Sequence, residues 1–420
     1  MNVYDVFCTI SRSINKRIDS DDFFDKYRIG KAFSRSRKLS FHNIISFIFN
    51  STHKSLAANY ADLRDVIPMK KLPVVSKQAL SKARLGISAD AFRDLFLLSV
   101  KEYYQSYKFF NLWNGYHIYA VDGSTIQIPE SKENLEHFGF NPNKNARDTP
   151  LASVSVLYDV MNDILVDATI NPYRYNERTS AIEHMNHLPN SKNAIVLFDR
   201  GYPSEALFRL LHQQGVFFLM RVPSTFKKAI SSETDTLFSY PAKKSEGVLT
   251  LRTITFTLEN GTVERLVTNL MSSNLNVTQF GHLYALRWGI ESKYRELKNR
   301  WEIENFNCMK SISIVQEFYA AMLLSNLSSL IKSEADSIIE RDSPSTNKHK
   351  YQANRSFILN RIKTLIIRIL SAKSAQIKKI ISSLIEEASN VKSIIRPGRK
   401  YGRFRRNTRR RYYMHMKSCI

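Results

Sequence analysis

The sequence predicts a mixed α/β layer interrupted by a β-rich insertion, with an all-α region before it and a helical, basic region after it. Three observations predict this. The first hundred residues carry capped runs with apolar residues at helical spacing. From about residue 109, β-branched and aromatic runs alternate with helical patterns, as expected of strands and helices sharing one layer. Beyond residue 332 the helical patterns return, rich in Ile, Lys and Arg. The segments so defined are 1–108, 109–225, 226–272, 273–331 and 332–420.

In the first segment Ser40 is placed to cap Phe41–Phe49, Ser55 opens a second helix, and Ser76 starts S-K-Q-A-L-S-K-A-R-L. Ser88, with Asp90 in the first turn, starts a helix running to about Tyr104. Lys77, Lys82 and Arg84 on the Ser76 helix suggest a helix-turn-helix-like DNA-binding unit, although packing alone also accounts for that helix. Strands follow at Y-H-I-Y-A-V-D-G-S-T-I-Q-I-P, L-A-S-V-S-V-L-Y-D-V and I-L-V-D-A-T-I, the last two flanking a turn at Met161–Asp163. Glu177–Leu188 reads as helix, A-I-V-L-F as a buried strand, Ser204–Gln214 as helix and V-F-F-L-M-R-V as strand. In the insertion, Asn260-Gly261 between alternating runs signals a hairpin, and a phase slip between Leu251 and Ile254 suggests a bulge. Ser343–Asn354 reads as a polar linker, and the chain ends in the basic tail that begins R-P-G-R-K-Y.

At 420 residues, 43% hydrophobic and 11% aromatic, the chain can bury several cores and is not of disordered composition. The apolar run around Phe318–Leu330 is too short and too rich in Ser and Asn to span a bilayer, so no membrane is expected. Met-Asn-Val-Tyr-Asp lacks the cations of a secretory signal. Cys8, Cys308 and Cys419 are too scattered for a disulfide framework or zinc site, and a reducing cytoplasm is the expected location. Charge narrows the partners. With 62 Lys+Arg against 38 Asp+Glu the net charge is +24, which favours a polyanion such as nucleic acid.

The candidate chemistry lies in carboxylates. Asp122 follows Y-A-V and precedes Gly123; Asp199 ends I-V-L-F and precedes Arg200-Gly201. Acids at the ends of apolar strands are costly to bury without partners, and strand carboxyl ends are where α/β folds carry their sites. A third acid, Glu291, sits in Y-A-L-R-W-G-I-E-S-K-Y-R-E-L-K. At about 100° per residue, and with Tyr284 at zero, Arg287 falls near −60°, Glu291 near −20° and Lys298 near −40°. The four share one shoulder of a single predicted helix. Three such carboxylates could hold two hard divalent ions for in-line attack at phosphorus, with the cations facing phosphates.

Tyr284, Arg287, Glu291 and Lys298 match the spacing of the YREK signature, and the chain resembles bacterial insertion-sequence transposases of the DDE type. V-D-G-S-T and D-R-G-Y look like that family's two aspartate motifs, with the β insertion between the second motif and the glutamate. The resemblance implies an RNase H-like catalytic core and two Mg²⁺ (or Mn²⁺) ions held by Asp122, Asp199 and Glu291. Tyr284, Arg287 and Lys298 would contact phosphates of the DNA end. It further implies that the inverted-repeat ends of an insertion sequence are cut and joined to target DNA in a dimeric synaptic complex. Some members set an aromatic of the insertion against a flipped base; Phe238, Tyr240 and Phe256 are candidates that no motif separates.

Other motifs carry less. His184-x-x-His187 lacks further ligands and reads as helix surface. Asp159, Asp163 and Asp167 bracket a hairpin, where turn chemistry suffices. Gly201 lacks a phosphate-loop pattern and no Gly-x-Ser-x-Gly occurs. Two alternatives stay open: another two-metal DNA nuclease on the same core, or a DNA-binding protein without catalysis.

Overall fold

Local capping chemistry forms the first helices. In the computed structural model, α1 (Val3–Ile18), α2 (Asp21–Tyr27), α3 (Phe41–Phe49), α4 (Leu56–Val66), α5 (Lys77–Arg84) and α6 (Asp90–Ser106) occupy the first segment. The Ser40 hydroxyl accepts the Asn43 N–H, Ser55 the Ala58 N–H, and Ser76 the Ala79 N–H. Ala89, not Ser88, holds the cap position of α6. The residues described are 2–35, 39–50, 55–66, 72–142, 148–223, 226, 234–242, 247–259, 261–271, 275–344, 346 and 348–396. The basic tail beyond Arg396 and Cys419 lie outside them; Cys8 and Cys308 are free thiols.

A single eight-stranded sheet follows, with helices interspersed. Its strands are β1 (His117–Gln127), β2 (Leu151–Asp159), β3 (Ile164–Pro172), β4 (Ala194–Phe198), β5 (Phe217–Arg221), β6 (Asp235–Tyr240), β7 (Leu249–Thr257) and β8 (Val263–Thr268). The order across the sheet is β3-β2-β1-β4-β5-β8-β7-β6. β1, β4 and β5 run parallel, and all five residues of β4 are buried, as expected of a central strand covered on both faces. The insertion is not a sheet of its own. β8 pairs antiparallel with β5, so the three insertion strands extend the same sheet. The expected bulge is absent: β7 keeps unbroken register with β6 and β8. Leu249, Leu251 and Thr253 are buried, and so is Ile254, so the slip in the apolar pattern reflects burial on both sides of the strand. Gly261, with φ +79°, turns the β7–β8 hairpin.

The connecting helices are α7 (Lys132–Phe138), α8 (Glu177–Met185), α9 (Glu205–Gln213), α10 (Val277–Ala285) and α11 (Trp288–Asn299). The predicted single helix through Tyr284 and Lys298 is therefore two. Leu286, Arg287, Gly289 and Ile290 each donate their N–H three residues back, tightening the turn where α10 ends and α11 begins. A Cβ on Gly289 would lie 2.9 Å from Val160 Cγ1, so only glycine allows this approach to the β2–β3 turn.

Three further helices complete the chain: α12 (Ser311–Asp342), α13 (Arg355–Ser371) and α14 (Ser374–Asn390). Two short strands, β9 (Tyr351–Ala353) and β10 (Lys392–Ile394), pair antiparallel, so part of the expected linker is structured. α12 is long and apolar enough to cross a membrane, but 89% of its apolar window is buried among other helices. Contacts divide the chain into two units: Met1–Phe109, Ile126–Ala152 and Glu296–Ile420 in one; Phe110–Thr125 and Ser153–Arg295 in the other. The first and last segments, set apart in the sequence reading, thus share a core in which α12 packs on α1, α3, α6, α13 and α14. Arg84 is fully buried there. It donates to Gln316 Oε1 and Glu317 Oε1 at 2.8 Å each and to the Ser313 carbonyl at 2.6 Å. It is therefore not available to read DNA, whereas Lys77 and Lys82 are exposed.

Candidate active site

Two parallel strands bring the aspartates together. The β1–β4 register ends with Val121 opposite Phe198, so one residue further Asp122 stands beside Asp199. The strand order also reverses here: the chain leaves β1 for β2 and β3 on one side and returns to β4 and β5 on the other. Such a reversal opens a crevice at the carboxyl ends of the strands. Each aspartate folds back on its own main chain. Asp122 accepts the Gly123 N–H at 2.9 Å and Asp199 the Arg200 N–H at 2.7 Å.

Electrostatics link the third acid to these two. The Asp122 carboxyl is pushed up to about 6, chiefly by burial. The Gly123 N–H and Arg287 oppose this shift, whereas Asp199 and Glu291 add to it. Both other acids predicted from sequence therefore bear on Asp122. Glu291, in the first turn of α11, accepts Arg287 Nη2 at 3.1 Å. Arg287 is itself buried; its guanidinium lies 4.9 Å from the Trp288 ring and 5.7 Å from that of Tyr284. Burial opposes its charge, but Tyr284, Asp199, Glu291 and Asp122 together hold it more firmly protonated than usual. The Tyr284 hydroxyl donates to the carbonyl of Phe198 at 3.3 Å, next to Asp199. Burial raises its pKa.

Lys298 is two turns further along α11, and its ammonium lies 3.9 Å from Glu304. Among the described residues, no three His, Cys, Asp or Glu groups stand in an arrangement that would hold a metal ion. The contacts explain why: Glu291 is turned to Arg287, and both aspartates to their own backbone. The donor set nevertheless suits a hard divalent cation, being all carboxylate. The Tyr202 hydroxyl supports the fit. It is buried, has no hydrogen-bond partner among the described residues, and has its pKa raised well above the ordinary value by burial and then by Asp122, Glu177 and Asp199. A cation with its waters would relieve both the repulsion and the unpaired hydroxyl.

Several residues near the site escaped the sequence reading. Glu177 opens α8 after the Asn176 cap, and its carboxylate lies so close to Gly123 that a Cβ there would sit 2.8 Å from Oε1. It also approaches Gly201. The only sequence signal was an acid in the first turn of a helix, which capping explains as well. Tyr294 of α11 donates to the Asp122 carbonyl at 2.8 Å. His184 and Asp167 also depart from expectation. His184 is fully buried, not on the helix surface, and pairs with Asp167, which takes no part in the hairpin turn. Asp159 does, accepting the Asn162 N–H at 3.1 Å; Asp163 holds the turn at φ +57°. Of the insertion aromatics, Phe238 and Tyr240 pack edge-on at 5.6 Å, and the Phe256 ring lies against Gly281.

Comparison with known proteins identifies what the chain is similar to. The model of the family described as "Transposase DDE domain" matches residues 113–327, which include Asp122, Asp199 and Glu291. InsZ of Escherichia coli (strain K12), named as a candidate transposase, is 26% identical over 144 residues, 34% of this chain. The chain spans about half of that relative's length, 48%. A solved piggyBac transposase synaptic complex with hairpin DNA is similar over 95% of this chain and 86% of its own, at 12% identity and a TM-score of 0.47. With just over half of its 420 residues matched by that family model, the chain belongs to the DDE-domain transposases.

Proposed function

We propose that this transposase binds the inverted-repeat ends of an insertion sequence as double-stranded DNA, cuts them, and joins their 3′ ends to target DNA. The observation that carries the reading is the placement of Asp122 beside Asp199 at the reversal of strand order, with Glu291 near enough to help raise the Asp122 pKa. The three carboxylates would hold two Mg²⁺ (or Mn²⁺) ions, with Asp122 and Asp199 contributing from adjacent strands and Glu291 from α11. The ions would activate the attacking water or 3′-hydroxyl and stabilise the leaving oxygen. Each acid serves as a ligand only when ionised, so Asp122 must lose its proton before it ligates.

Arg287 plays two parts in this reading. It holds Glu291 aside in the metal-free protein, and it would turn to a DNA phosphate when the carboxylate moves to a metal. Tyr284 and Lys298 would contact phosphates on either side of it along the α10–α11 segment. The net charge of +24 favours such a partner and makes binding salt-sensitive. We infer an RNase H-like core in the sheet-bearing unit, DNA contacts from the N-terminal helices, and a homodimer that pairs two ends. The site of action would be the bacterial cytoplasm.

The test uses purified protein, Mg²⁺ and a labelled donor duplex carrying the inverted repeats that flank the coding region, with a second DNA as target. Release of the end and its joining to target, both lost with Glu291→Ala or EDTA, are expected. Cutting without joining would favour a two-metal nuclease, and salt-sensitive binding that survives Glu291→Ala with no cutting would favour a non-catalytic DNA-binding protein.

A further inference from the structure

The unit that carries both aspartates also buries three polar side chains that none of these steps uses. His184, in the last turn of α8, and Asp167, on β3, are fully buried, and Ser155, on β2, is 2% exposed. Burying such groups is costly unless each is hydrogen-bonded, so their partners are informative. Asp167 Oδ2 lies 2.8 Å from His184 Nδ1, and the other Asp167 oxygen accepts the Ala168 N–H at 2.9 Å. His184 Nε2 lies 2.9 Å from Ser155 Oγ. Ser155 Oγ in turn reaches the main-chain carbonyl of Asp122 at 3.4 Å, the longest link of the series. The same carbonyl accepts the Tyr294 hydroxyl from α11 at 2.8 Å.

The order Ser, His, Asp is that of a hydrolytic triad. A nucleophile must meet its substrate, however, and Ser155 is almost wholly enclosed. The chain ends on the peptide of a site carboxylate, which suits positioning. α8 reinforces it from its other end. Arg178 Nε donates to the Gly201 carbonyl at 3.1 Å and Glu177 sits against Gly123. One helix therefore touches the segments after both aspartates and, two turns later, supplies His184.

We propose that Asp167 and His184, acting through Ser155, form a buried brace that fixes the main chain at Asp122 and so holds its carboxylate in register with Asp199. This rests on the phosphoryl-transfer reading of the site. Three like charges repel one another, and a working site needs its groups held to within about 0.5 Å. His184 and Ser155 are positioning residues; neither touches DNA.

The test compares wild-type protein with Ser155→Ala, His184→Leu and His184→Gln, and with Leu211→Ala, a cavity control in a buried position on α9 of the same unit. Two readouts are taken: amide hydrogen exchange at residues 122–125, and the Mg²⁺ concentration for half-maximal cutting of the donor end. Ser155→Ala and His184→Leu are expected to speed exchange there about tenfold or more and to raise the Mg²⁺ requirement. The KM for DNA should be unchanged. His184→Gln, which keeps a donor and an acceptor, should recover most of the loss. Leu211→Ala should lower the melting temperature without either effect. Unchanged exchange at 122–125, or equal exchange in Leu211→Ala, would overturn the brace. If His184→Leu does not fold, Ser155→Ala, which deletes one oxygen, decides alone. If the wild type cuts no DNA, the phosphoryl-transfer reading falls, while exchange still decides whether the brace exists.

Discussion

At the scale of single residues, Asp122 bears the cost of the site. Its carboxyl has a folded pKa of about 6 against an ordinary value of 3.8. Between those two pH values the folded chain holds a proton that the unfolded chain has released. Metal-free protein therefore loses stability from this group as pH rises through that window, by at most about 3 kcal/mol. Asp122→Asn should melt above wild type at pH 7 in EDTA, show little gain near pH 4, and be inactive. A lower melting temperature at pH 7 would show that the charge is not under strain. The same scale bounds what the sequence discloses. Asp122, Asp199 and Glu291 are legible because each follows a short apolar run or shares a helix shoulder with cations, although Asp122 lies within β1 and not at its end, since β1 continues to Gln127. Glu177 and the Asp167–His184 pair are not, because their roles depend on close approaches between elements that no local spacing encodes.

At the scale of elements, the tightened turn between α10 and α11 aims Glu291. Gly289→Ala would press a methyl against Val160 Cγ1, which the ideal Cβ approaches to 2.9 Å. Such overpacking typically costs about 1–3 kcal/mol and here should also shift the first turn of α11. Expected results are a lower melting temperature and reduced end cutting, both largely restored by adding Val160→Ala. Failure of the second change to rescue would place the defect in Gly289 itself. The sequence predicts helix on both sides of this turn but not the break. The only local sign is one glycine in a pattern that otherwise continues. The supposed bulge in β7 has a similar origin. Alternation marks one buried face, and Ile254 is buried although it breaks that alternation.

At the scale of the whole chain, long-range contacts decide what local patterns cannot. α5 and α12 lie more than 200 residues apart, yet the Arg84 side chain joins them through three hydrogen bonds. Arg84→Met should destabilise its unit by about 3–5 kcal/mol because Glu317 would remain buried and charged, and Glu317→Gln should recover part of the loss. Thermal melts of the single and double variants check this. The sheet and its helices were legible in outline from period and turn chemistry. The shared core of the first and last segments was not, since nothing near residues 108 or 332 records which distant helix covers which.

In the proposed mechanism Asp199, with Asp122 and Glu291, would ligate a divalent ion that serves strand transfer. Asp199→Cys tests it most directly, because a thiolate favours softer Mn²⁺ over hard Mg²⁺. End cutting and joining should be lost with Mg²⁺ and regained in part with Mn²⁺, while Asp199→Ala stays inactive with both. Equal activity of Asp199→Cys and wild type with Mg²⁺, or equal failure of both variants with either ion in a folded protein, would contradict a metal at this carboxylate.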